Sequence, residues 1–67
     1  MNKKQFERKF EKAKINTEGI VVICLNGNNL IFATKYEYSI YLERSVYFYN
    51  KRNLSGFVSL RSIKRVR

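Results

Sequence analysis

Apolar residues recur every third or fourth position at the start of the chain, then every second position or continuously. Phe6, Phe10 and Ala13 stand at i, i+4 and i+7, a spacing that puts all three on one face of a helix. Asn2, followed three residues later by Gln5, has the form of a capping box. The pattern predicts a helix over 2–14. Lys3, Lys4, Glu7, Arg8, Lys9, Glu11 and Lys12 occupy the other positions, so the apolar stripe is narrow and the helix should lie on a sheet rather than inside it. Asn16-Thr17-Glu18-Gly19 then breaks it.

Ile20 to Leu25 is a run of six apolar residues, too short for a typical helix and rich in β-branched side chains. Ile20, Val22 and Cys24 face one way along such a strand, and Val21, Ile23 and Leu25 face the other. Both faces are apolar and need cover, one from the core of the sheet and one from the helix. Asn26-Gly27-Asn28-Asn29 supplies residues that accept positive φ in a tight hairpin turn. A second strand is expected from Leu30 to Tyr38. Ser39 to Glu43 continues the alternation and Ser45 to Tyr49 resumes it, with no Gly or Pro between. The stretch 39–49 is then one strand or a hairpin, and the missing Gly and Pro favour one long, bent strand, with Ile40, Leu42, Val46 and Phe48 inward and Tyr41, Tyr47 and Tyr49 outward. Lys51 to Gly56 reads as a loop and Phe57 to Leu60 as a strand. Ile63 and Val66 are three apart, which predicts a tight helical turn near Arg61-Ser62 and a very short last strand. The whole is a single domain, 1–67: mostly β with an N-terminal α-helix (2–14 helix, 20–66 antiparallel strands), as a small five-stranded barrel or a strongly bent antiparallel sheet.

Length and charge sharpen this picture. The chain has 67 residues, and domains near that size bury only about 60% of their unfolded surface. One cysteine allows no internal disulfide, and no Cys/His cluster of a zinc site is present. Stability must come from good patterning or from self-association, and a homo-oligomer is expected. Cys24, within an apolar run, reads as a small buried hydrophobe in a reducing compartment. The apolar runs are too short to span a membrane and Met1 to Lys14 is charged throughout, so a soluble, cytoplasmic protein without membrane contact is expected. The net charge is +9. It is +3 over 1–19, zero over 20–50 and +6 over 51–67. A neutral middle with basic ends suits a phosphate backbone as partner.

The chain has no His and no Asp, and its five acids are spread along it. The sequence therefore offers no positioned His, no paired carboxylate and no cluster of oxygens for a hard metal ion, and no enzyme, cofactor or metal is expected. The positive signal is basic residues interleaved with aromatics. The expected nucleic-acid contacts are Tyr41, Tyr47 and Tyr49 for stacking, and Lys51, Arg52, Arg61, Lys64, Arg65 and Arg67 for phosphates. Arg8, Lys9 and Lys12 join them if the helix packs beside that face.

The segment Ile23-Cys24-Leu25-Asn26-Gly27-Asn28-Asn29-Leu30 resembles the first hairpin of bacterial Hfq-like Sm proteins. Tyr36-Glu37-Tyr38-Ser39-Ile40-Tyr41-Leu42 is similar to their entry to the third strand, and Phe57 to Val66 has the apolar spacing of their closing segment. The resemblance implies a small SH3-like or Sm-like barrel, an RNA ligand and a ring. The family's closing Tyr-Lys-His motif is replaced here by Ser59, Leu60 and Arg61, so its uridine pocket is not implied. The function expected is non-enzymatic binding of nucleic acid, RNA or a single strand, with RNA favoured over DNA. The alternative is a small basic inhibitor or adaptor, of the kind mobile elements encode, bound to an acidic partner protein.

Overall fold

The computed structural model describes residues 1–67. One helix, α1 (Lys3–Asn16), precedes six strands: β1 (Val21–Leu25), β2 (Leu30–Ala33), β3 (Lys35–Tyr38), β4 (Ser45–Asn50), β5 (Asn53–Ser59) and β6 (Ile63–Val66). The strands form two three-stranded antiparallel sheets, ordered β2-β1-β6 and β3-β4-β5. Neither is closed into a barrel, and six strands stand where five were expected.

The capping box forms as the sequence predicts. The Asn2 side chain accepts from the Gln5 amide at 2.8 Å, and the Asn2 amide donates to Gln5 Oε1 at 3.3 Å. Phe6, Phe10 and Ala13 are the buried residues of α1. They enter one core with Val21, Ile23, Ile31, Ala33, Val46, Phe48, Leu60 and Ile63. The rings of Phe6 and Phe10 meet Tyr36 edge-on at 4.8 and 4.7 Å, and Phe6 meets Phe48 at 5.8 Å. The helix thus packs on the same face of β1 as the core, not on the opposite face. Val22 and Cys24 are only half-buried, and Leu30 and Phe32 beside them are exposed. That outer face stays uncovered.

Two turns depart from the sequence pattern. The stretch 39–49 is a loop followed by β4, not one strand, and β3 and β4 pair as a hairpin. Ser39 Oγ accepts the amides of Tyr41 and Leu42 at 3.2 and 3.0 Å, and Arg44 adopts φ 63°. A short side chain and one left-handed residue make the turn without Gly or Pro. Ile40 and Leu42, expected inward, are exposed with Tyr41. Likewise 51–56 is not a loop. Lys51 (φ 60°) and Arg52 make a two-residue turn and Asn53 already pairs with Asn50. The closing turn is as predicted, a 3-10 turn at Leu60–Ser62 leading into β6.

Thr34 divides β2 from β3. Its amide donates to Tyr49 O at 2.7 Å, and its hydroxyl accepts the Lys51 amide at 2.8 Å. The second link between the sheets is a bulge in β5, where the register shifts between Phe48 and Tyr49. The bulged Ser55 hydroxyl donates to Phe32 O at 3.0 Å and to Phe48 O at 3.2 Å. Beside it, Gly56 lets β5 approach β2. A Cβ there would collide with Ile31 Cδ1 and stand 3.2 Å from Ile31 Cγ1. Gly56→Ala should destabilise the fold by about 1–3 kcal/mol, an overpacking cost. Ile31→Val removes Cδ1, so the same change should cost less in that background when urea unfolding of the four variants is compared. Equal costs in both backgrounds would contradict this packing.

The Tyr38 hydroxyl donates to Glu7 Oε2 at 2.7 Å, and Lys3 Nζ lies 4.7 Å from the Tyr38 ring centroid. Burial, then the hydrogen bond to Glu7, pushes the Tyr38 phenol far above its ordinary value of 10.0. Tyr36 is pushed up by burial and then by the Glu7 carboxylate. A raised folded-state pKa means that the unfolded chain loses these protons first. The contribution is complete below pH 10.0 and falls as pH rises above it. In an alkaline titration, part of the phenolate absorbance should therefore develop only together with loss of far-ultraviolet circular dichroism. Smooth ionisation of all five tyrosines in a still-folded protein would contradict it.

Candidate nucleic-acid interface

The seating of α1 decides which cations meet. Because Phe6, Phe10 and Ala13 face the core, Lys9 and Lys12 are left beside β6. There they line a groove with Ala13, Asn16, Lys64, Arg65, Val66 and Arg67. A smaller depression continues along the helix between Gln5, Arg8, Lys9 and Lys12. On the other side of β6, Lys64, Arg65 and Arg67 line a third groove with Cys24, Leu25, Asn28, Asn29 and Leu30. None of the three has an acidic lining residue. Arg8, Lys9, Lys12, Lys64, Arg65 and Arg67 thus form one basic stripe across the helix and the last strand, although they are far apart in the sequence.

The other expected contacts lie elsewhere. Tyr41 is 85% exposed in the β3–β4 loop. Lys51 and Arg52 form the β4–β5 turn, and Arg61 sits in the 3-10 turn before β6. Tyr47 and Tyr49 are on the outer face of the second sheet, opposite Glu37 and Lys35. Tyr47 is stacked on Phe57, with centroids 4.3 Å apart and planes 22° from parallel. Lys35 Nζ lies 5.2 Å from the Tyr49 ring centroid. Partial burial and then the Glu37 carboxylate push the Tyr49 phenol above its ordinary value. This is a neutral aromatic patch whose rings already have partners, separate from the basic stripe.

Sequence reasoning missed Asn16, Asn28 and Asn29 as groove residues, and Leu30 and Phe32 as exposed apolar ones. The asparagines read only as turn formers. The apolar pair carried a signal: Leu30-Ile31-Phe32-Ala33 is apolar at both strand parities, so one parity has to lie outside the core.

The stripe offers fixed positive charge and exposed donors, and the one thiol, Cys24, is half-buried in the floor of the third groove. No group of His, Cys, Asp or Glu able to hold a metal ion is formed, and no helix is long and apolar enough to cross a membrane. No family model, curated protein or solved structure matches the chain. Uncompensated like charge has a measurable consequence. Lys12→Glu should raise the melting temperature at low salt by roughly 2–4 °C for a domain this size. The gain should fade as salt screens the repulsion. A lower melting temperature at low salt would show that Lys12 is held by attraction.

Proposed function

We propose that the protein is a non-enzymatic nucleic-acid-binding module, taking RNA or another single strand on the basic stripe of α1 and β6. The observation that carries this reading is the groove in which Lys9 and Lys12 face Lys64, Arg65 and Arg67 with no acid among them. Phosphates would replace the counterions around these side chains, and their release drives binding with little base selectivity. The element order supports a barrel-like arrangement of the Sm type: a helix, a strand bent at Thr34, a hairpin and a 3-10 turn before the closing strand. The free edge of β5, with exposed Leu54 and Phe57, supports self-association.

A second reading has its own observation. Ile40, Tyr41 and Leu42 are 87%, 85% and 56% exposed at one loop tip; an exposed apolar tip suits a protein partner better than a nucleic acid, and the net charge of +9 makes an acidic one the match. Titration of labelled single-stranded RNA and duplex DNA, with mass measured in parallel, separates the two. With five cations engaged, affinity should fall about 100–500-fold between roughly 50 and 200 mM salt. Lys9→Ala or Arg65→Ala should each lower the salt slope by about 1. Absent or salt-independent binding would overturn the nucleic-acid reading.

A further inference from the structure

We propose that the outer face of the β2-β1-β6 sheet binds unpaired bases, so that the ligand of the basic stripe is a single strand. The inference rests on the phosphate-binding reading above and adds the bases to it. Two rows cross this face. Leu30, Cys24 and Arg65 are register partners across β2, β1 and β6. Phe32 pairs with Val22, and Val22 exchanges backbone hydrogen bonds of 3.0 and 2.9 Å with Arg67. Each row runs from an exposed apolar side chain, through a half-buried apolar floor, to an exposed arginine. Leu30 is 54% and Phe32 49% exposed.

Charge selects the occupant. A base can lie on the apolar floor while its phosphate meets a guanidinium at the β6 edge. An apolar protein segment laid on the same face would desolvate Arg65 and Arg67 without supplying counter-charge, which is costly. The spacing suits nucleotides as well. Alternate residues of a strand are about 6.6–6.8 Å apart, comparable to successive phosphates of an extended, unstacked strand. Across the sheet, β2 and β6 are about 10 Å apart, the reach from a phosphate to the far edge of its base. A duplex keeps its base faces inside its own stack and cannot use the floor.

The test is fluorescence anisotropy at low salt with oligouridylate, oligothymidylate and a DNA duplex. Phe32→Ala should weaken binding of both single strands about 5–150-fold, the loss expected for one stacked base. Phe32→Trp should restore it, and duplex affinity should not change. Leu30→Asn, at a second exposed site, should act in the same direction, and circular dichroism checks that each variant is folded. Single-strand affinity unaffected by Phe32→Ala and Leu30→Asn, or a parallel loss on the duplex, would overturn this inference while leaving the phosphate-binding reading intact. Failure of the unaltered protein to bind any of the three would overturn both.

Discussion

The fold depends on two phenylalanines of the helix reaching a core that the sheets cannot fill alone. Phe6 and Phe10 are essentially fully buried against Tyr36 and Phe48. Truncating a buried Phe typically costs about 3–5 kcal/mol, which approaches the whole stability of a domain this small, about 3–10 kcal/mol. The helix is thus part of the core, and its orientation is set by the same contacts. With Phe6, Phe10 and Ala13 inward, Lys9 and Lys12 have nowhere to go but the border with β6. The electrostatics of the groove follow from the packing of the rings.

Hydrogen bonds and one close approach join the two sheets. Thr34 ties the bend between β2 and β3 to β4, and Ser55 bridges carbonyls of β2 and β4. Gly56 allows the approach by having no side chain where Ile31 packs. β2 in turn pairs with β1 and β1 with β6, and Lys64 and Arg65 of β6, with Arg67 just after it, are the cations that face the helix and the sheet. Hydrophobic packing here holds like charges together, and a polyanion relieves the repulsion it maintains.

The helix, its cap, the Asn-Gly turn and the 3-10 turn before β6 were legible because each follows from local chemistry: a 3.6-residue period, reciprocal side-chain capping, positive φ and a three-residue apolar step. The turns at 39–44 and 51–52 were not. Their left-handed residues are Arg44 and Lys51, types that carry no turn signal; the first turn is held by amides donating to Ser39 Oγ within it, the second by the Lys51 amide donating to Thr34 Oγ1 from another part of the chain. The chemical character of the candidate interface was legible in the charge distribution. Its six basic residues were all named from the sequence, but that they meet was not legible, because joining Lys9 to Arg65 needs the docking of the helix. Of the tyrosines singled out for stacking, Tyr47 and Tyr49 have partners within the protein and Tyr41 stays exposed at a loop tip, while the exposed ring on the sheet face that carries Arg65 and Arg67 is Phe32.

The central claim is that helix and last strand act as one binding surface. Its most direct test is a nitrogen–proton correlation spectrum of the labelled protein during titration with a short oligouridylate. The account predicts that amides of Lys9, Lys12 and Asn16 and those of Lys64 to Arg67 shift together with a single dissociation constant, while those of Tyr41 and Arg52 stay in place. Shifts centred on the 39–44 loop or the 51–52 turn, or none at all, would contradict it.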